Sequence, residues 1–372
     1  MKYLFLIPFF LCSSAVTAQN VQVTPTGSSA ENNAQTFTFD RSNLQVRGNN
    51  LAVSGPAGQI NIPNVNSFEI SGEGKFLGAI LIENDLRAWL FDGLGKKVQD
   101  VKLDYFDPFD ETLKIKVYND GRFTTRDNVA NFSFFDSNGS LKYNVSNSSG
   151  SPDGEVASGI ATDPTGNTIL LYNPRINYGN EEGSRARILK GEGDFKKLHT
   201  SRERTIKYAK VSSRGSYVTV ITERAGTDDE VIITDRHGNE IEKLSTDMEL
   251  RGATLTEDAR YLTLYSSGRA QVHRLKDGEV LGSTSFTSTV AYASYIPEGQ
   301  QIVALCGTLD NNRQIQNPEI HAIHLGERSI ARTEVAFPLS FLDHNRLDIS
   351  HAGNNQFRIT GLNRELHIQT QF

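Results

Sequence analysis

The side chains able to do chemistry are thinly spread along this chain, and two polar runs concentrate them. The first is Asn173-Pro174-Arg175-Ile176-Asn177-Tyr178-Gly179-Asn180-Glu181-Glu182-Gly183, and the second is Thr308-Leu309-Asp310-Asn311-Asn312-Arg313-Gln314-Ile315-Gln316-Asn317. Both mix Arg with Asn, Tyr or Gln, which hydrogen-bond peptide groups or sugars, and neither holds a nucleophile beside a base. A third, shorter run spans Glu223 to Glu230. Arg175, Asn177, Tyr178, Asn180, Asp310, Asn311, Arg313 and Gln316 are therefore expected to bind a partner rather than to catalyse a reaction.

Other constellations point away from chemistry. Asp104, Asp107, Asp110 and Glu111 cluster as calcium ligands could, but the spacing lacks the loop glycine and terminal glutamate of an EF-hand. A solvated acidic loop is the simpler reading. All eight histidines follow residue 198. His321 and His324 stand three apart on an expected strand, so they point to opposite faces and cannot share a metal. There is no HExxH, no cysteine pair for zinc, no G-x-S-x-G elbow, no Walker loop and no dinucleotide G-x-G-x-x-G. No catalytic residue, metal or cofactor is expected.

Composition narrows the class. The 372 residues carry 38 Lys+Arg against 44 Asp+Glu, a net charge of −6, with no basic block to gain from counterion release. Nucleic acid is thus not an expected partner. Twenty Phe and twelve Tyr exclude a chain disordered throughout. At the start, Lys2, the apolar run Tyr3 to Leu11 and small residues ending Val16-Thr17-Ala18 have the parts of a secretory signal. Cleavage after Ala18 would leave Gln19 first in an exported chain, periplasmic or secreted. Leu11 before Cys12 disfavours lipid attachment. No apolar segment approaches the roughly twenty residues that cross a bilayer, so a membrane-spanning chain is not expected. Loss of residues 1–18 leaves Cys306 as the one thiol, expected to be buried in the apolar run Ile302 to Cys306. Sequons stand at Asn131, Asn138, Asn144 and Asn147.

The elements that must position these residues come from a repeat. Residues Gln19 to Gln35 are polar and read as a flexible leader, and the folded domain is expected over 36–372. A tight turn followed by an apolar strand recurs at Gly74, Gly121, Gly166, Gly215, Ala259, Gly299 and Asn345, at intervals of 40 to 49 residues. A second turn recurs as Asp92-Gly93-Leu94-Gly95, Asp136-Ser137-Asn138-Gly139 and Asp235-Arg236-His237-Gly238. In such a turn the Asp carboxylate bonds the backbone two residues on, and the Gly takes a positive φ. Strands such as Phe132-Ser133-Phe134-Phe135 and Val231-Ile232-Ile233-Thr234 precede it. Four short strands per unit, with no amphipathic helix between them, predict an all-β fold, a β-propeller of four-stranded blades. Seven blades are expected, or eight if 36–62 forms another.

The turn grammar resembles that of bacterial WD40-like, TolB-type propeller repeats, as in Ser71-Gly72-Glu73-Gly74-Lys75-Phe76, Asn119-Asp120-Gly121-Arg122-Phe123, Asp163-Pro164-Thr165-Gly166-Asn167 and Ser212-Ser213-Arg214-Gly215-Ser216-Tyr217. No unit carries the Gly-His and Trp-Asp pairs of eukaryotic WD40 repeats. The resemblance implies architecture; propellers of this kind scaffold complexes, bind peptides or cap hydrolases. The expected function is an exported, non-catalytic scaffold for a protein or peptide partner, monomeric by itself. The alternative is a Ca²⁺-dependent propeller enzyme, a lactonase or glycan lyase or hydrolase. Against it stands the lack of acidic and Asn residues recurring at equivalent strand ends.

Overall fold

The computed structural model describes residues 21–25, 39 and 44–370, apart from 56–57, 83, 105–112, 128, 149–157, 192, 311–313, 328, 338, 341–346, 354 and 363–364. Eight antiparallel sheets follow one another along these residues. Blade 1 comprises Leu44–Arg47, Asn50–Gly55 and Gly58–Ile62; blade 2 begins with Val65–Ile70 and ends with Lys97–Lys102. Blade 3 runs from Lys114–Val117 to Leu141–Ser146, blade 4 from Gly159–Thr162 to Asp194–Ser201, and blade 5 from Thr205–Val211 to Glu240–Thr246. Blade 6 runs from Gly252–Leu255 to Glu279–Ser285, and blade 7 from Val290–Ile296 to Ser329–Glu334. Blade 8 holds Asp348–Gly353, Gln356–Thr360 and Leu366–Thr370, and its fourth strand is Val21–Pro25, antiparallel to Leu366–Thr370.

Of the seven or eight blades expected, the described residues form eight. The reason is packing: Leu51, Val53 and Ile62 of blade 1 are buried with Leu77, Ala79 and Leu81 of blade 2, so this segment is a module in its own right. Phe39 joins that cluster, and its N–H donates to Gly74 O at 2.8 Å. Within the stretch read as a leader, Val21–Pro25 form a strand that ties the start of the chain to its last blade. An edge strand supplied from the other end of the chain closes the ring and covers an otherwise open edge.

Every core cluster straddles adjacent blades. Leu170, Ala186 and Ile188 of blade 4 meet Ile206, Val218 and Val220 of blade 5, and Ile221, Val231 and Ile233 of blade 5 meet Ala253, Leu262 and Leu264 of blade 6. A strand alternates its side chains, so a blade buries one set on each neighbour. Each fully buried aliphatic side chain contributes about 2 kcal/mol. Cys306 lies in this interior, fully buried, with its thiol pushed up to about 12 by burial. The blades converge on an axis. Lys210 of blade 5 reaches across to donate to the Tyr292 hydroxyl of blade 7 and to Leu347 O, at the start of blade 8. This is a β-propeller.

The turns act as their residue types require. Asp92 Oδ1 accepts from the N–H groups of Leu94 and Lys96 at 3.0 and 2.9 Å, and Asp235 Oδ1 from those of His237 and Asn239, both at 2.8 Å. Gly95, Gly139 and Gly238 have φ of 77°, 84° and 77°. The first turn of the unit keeps a positive φ where Gly is replaced by Ala259 (54°), and in the next unit it falls on Gln300 (50°), one residue after Gly299. Asn345 lies outside the described residues; the turn between the first two strands of blade 8 instead holds Asn355, with φ 58°. Neighbouring turns also bond laterally: Glu73 N–H donates to Asn119 Oδ1 at 2.8 Å, and Thr168 Oγ1 to Gly215 O at 2.6 Å. This face is closely tied, which leaves the opposite face, with its second-to-third-strand hairpins, to vary.

Candidate functional site

On that opposite face the hairpins of blades 4 and 7 have the longest strands among the described residues. The second and third strands of blade 4, Ile169–Asn177 and Glu182–Gly191, are nine and ten residues long. The polar run expected as a loop over 173–183 is therefore mostly an extended hairpin. Ile176 pairs with Gly183 and Asn177 with Glu182, and the turn closes where Tyr178 N–H donates to Glu181 O at 2.8 Å. Ile176 is buried, which anchors the extension. Gly183 permits it: a Cβ there would lie 2.1 Å from Ser201 O and 2.8 Å from the Tyr178 ring. The Tyr178 ring lies 5.5 Å from the Arg202 guanidinium, a cation–π contact.

Between this hairpin and that of blade 5 lies a cleft of about 720 Å³. Arg175 and Asn180 line one wall, Glu223 to Asp229 the other, and Glu203, Asp247 and Glu249 of the blade connections complete it. Eight carboxylates face three cations. All three cations are engaged: Arg175 with Glu182 at 3.3 Å, Lys207 with Asp229 at 2.5 Å and Glu223 at 3.5 Å, and Arg224 with Glu203. Glu181, Asp228, Asp247 and Glu249 are exposed and make no ion pair with the described residues. The rim is thus strongly electronegative. Among the described residues no three His, Cys, Asp or Glu side chains converge as metal ligands would.

Buried polar groups hold the cleft in shape. Arg204 donates to Thr222 Oγ1 at 3.0 Å and to Asp228 O at 2.7 Å, fastening the blade 5 hairpin. Ser184 Oγ donates to Arg204 O at 2.6 Å and lies 3.0 Å from His199 Nε2. The hydroxyl proton is thereby used, so His199 Nε2 carries the proton of their shared bond. Burial pushes His199 down to about 4, which keeps the ring neutral.

The second expected group does not join this cleft. Asp310 Oδ1 accepts from Gln314 N–H, and Oδ2 from Gln316 Nε2, both at 2.9 Å, so Asp310 and Gln316 brace the hairpin of blade 7. Neither lines the cleft, and Asn311 and Arg313 lie outside the described residues. Of the first group, Arg175 and Asn180 line it, whereas Asn177 and Tyr178 build the hairpin behind them. The blade connections at 203 and 247–249 were missed by the sequence reading. Their signal was acid density recurring on successive connections, Glu203, then Asp247-Met248-Glu249, beside Asp228-Asp229-Glu230.

Other expectations resolve individually. Asp107, Asp110 and Glu111 lie outside the described residues. His321 is buried against Glu319, 3.0 Å away, while His324 Nδ1 accepts from Glu327 N–H at the strand end. Asn147 is fully buried and so closed to modification as folded. A larger cavity, about 890 Å³, opens at the tied face over Lys210 and Tyr292, with charges of both signs. Among the described residues no helix is long and apolar enough to cross a membrane.

The fold and cleft define the class: a β-propeller whose described residues form eight blades, with an acidic cleft on its hairpin-bearing face. No protein-family model and no curated protein matches the chain. Among solved structures it is similar to BamB from Moraxella catarrhalis, with 14% identity over 94% of this chain and 100% of that one and a TM-score of 0.48. A eukaryotic initiation factor shares 10% identity over 79% of this chain and 85% of that one, with a TM-score of 0.43.

Proposed function

We propose that this chain is an exported, non-catalytic β-propeller that binds a protein partner, receiving a Lys- and Arg-bearing extended segment in the cleft between blades 4 and 5. The observation that supports this reading is the imbalance of eight carboxylates against three engaged cations. Exposed, unbalanced acids steer a basic segment into place and favour it over neutral or acidic ones. The rigid hairpin of blade 4 gives one wall a fixed position at little ordering cost. Export rests on Lys2, the apolar run after it and the small residues up to Ala18.

The test is selection of binding segments from a random peptide display library by the full propeller, compared with the variant Glu181→Gln, Asp228→Asn, Asp247→Asn, Glu249→Gln. Enrichment in Lys and Arg is expected, with affinity that falls as salt rises. The variant is expected to bind the selected peptides roughly ten- to a hundredfold more weakly, at about 0.5 kcal/mol per exposed charge. Selected peptides without basic bias, or equal binding by the variant, would remove the cleft from the account.

A further inference from the structure

The side of blade 4 that faces blade 3 carries positive charge that no carboxylate among the described residues pairs. Arg185 and Arg187 stand two apart on one strand and so share a face, and Lys197 is opposite Arg187 on the next strand. Arg185 Nη2 donates to Ser148 O at 2.6 Å and to Asn173 Oδ1 at 3.0 Å. Arg187 Nη2 donates to Asn147 Oδ1 at 2.6 Å, and its guanidinium stacks 4.0 Å over the Phe195 ring. Every acceptor is a neutral carbonyl. None of the three cations has an ion pair with the described residues, and Arg187 Nε is buried without a hydrogen-bond partner.

The surrounding framework is built and rigid. Asn147 and Asn173 are fully buried. Asn147 Nδ2 donates to Ser158 Oγ at 2.6 Å, Asn173 Nδ2 donates to Asn147 O at 2.9 Å, and Arg126 of blade 3 donates to Ser158 O. Half-burying two like charges side by side costs free energy that neutral acceptors only partly offset. Burial, and then repulsion from Arg185, pull Arg187 down to about 10. A counter-anion would relieve both effects.

We propose that Arg185 and Arg187, with Lys197 beside them, bind a doubly charged tetrahedral oxyanion, a sulfate or phosphate group, in the groove between blades 3 and 4. The Nη1 groups of both arginines make no hydrogen bond with the described residues and supply the donors. A single planar carboxylate matches one guanidinium fork, whereas a tetrahedral dianion takes N–H groups from two and neutralises both charges.

The full chain is titrated by calorimetry with sodium sulfate and with sodium phosphate, against sodium chloride at matched ionic strength, with Tm followed in parallel. A saturable one-site heat and a Tm rise that levels off are expected, because sulfate's general stabilising action does not saturate. The heat should fall at least tenfold in Arg185→Gln and in Arg187→Gln, and persist in the cleft variant described above. Two variants guard against simple loss of fold, since only Arg187 stacks on Phe195. Absence of a saturable heat, or unchanged heat in both arginine variants, would overturn the proposal. So would sulfate binding that appears only in Asp153→Asn/Glu155→Gln, which would make the chain's own acids the counter-charge. A phosphoserine hexapeptide binding tighter than free phosphate would place the anion on a partner; the reverse would make it a free ion.

Discussion

The two sides of the blade 4 hairpin treat charge in opposite ways. Towards blade 5 it contributes to an acidic cleft in which every cation is matched and the excess carboxylates sit at an exposed rim. Towards blade 3 its arginines are half-buried and, among the described residues, engage neutral oxygens only. Unpaired charge costs little in water and much in a low dielectric. The acidic side can therefore stand ready for a partner at small expense to the fold, while the arginine side calls for an anion to complete it. Strand alternation makes the separation possible: Glu181-Glu182 cap the hairpin, while Arg185 and Arg187 both turn to one face.

Substitutions on each side sharpen this contrast. The largest effect is expected from Asp229→Asn. It leaves Lys207 without its 2.5 Å partner where both side chains are largely buried, with only Glu223 nearby at 3.5 Å. Urea unfolding should report a loss of about 3 kcal/mol; a loss below about 1 kcal/mol would mean that the cleft wall does not depend on this pair. On the other side, Asn147→Ala deletes the acceptor of Arg187 and the donor to Ser158, and should cost about 2 kcal/mol by the same measurement. Peptide binding in the cleft should survive it, and joint failure would show the two sides to be coupled.

A smaller effect is expected from acid. His199 is held at about 4, below its ordinary 6.5, so the unfolded chain takes up the proton first as pH falls. The native state is then at full stability above about pH 6.5, loses stability progressively between 6.5 and 4, and loses no more from this group below that. His199→Gln should flatten that slope in thermal unfolding across pH 4 to 7, and an unchanged slope would assign it to other groups. The smallest effect is expected from the four rim substitutions, which should shift stability by less than about 1 kcal/mol in total because exposed charges contribute little. A larger change would make the rim structural.

Much of the architecture was legible because turns are local. A carboxylate that bonds N–H groups two and four residues on, and a residue held at positive φ, are settled within a few residues. Asp92, Asp136 and Asp235 could thus be read directly. The blade count was less legible, since the first blade lacks the repeat's turn residues and the last borrows Val21–Pro25 from the far end of the chain. The candidate residues divide for a similar reason. A polar run looks alike whether its side chains face a cleft, as at Arg175 and Asn180, or brace a hairpin, as at Asp310 and Gln316.

By itself the sequence determined the unit: strand, turn, strand, repeated, with apolar residues placed to bury both sides of each sheet. Only the tertiary structure decided which charges meet. Residues 175, 203, 228 and 249 belong to separate hairpins and blade connections that become neighbours once blades 4, 5 and 6 pack in order. Among the described residues the neighbouring blade meets Arg185 and Arg187 with carbonyls rather than carboxylates. Electrostatic interaction depends on distance and burial, and neither is set until the ring has formed.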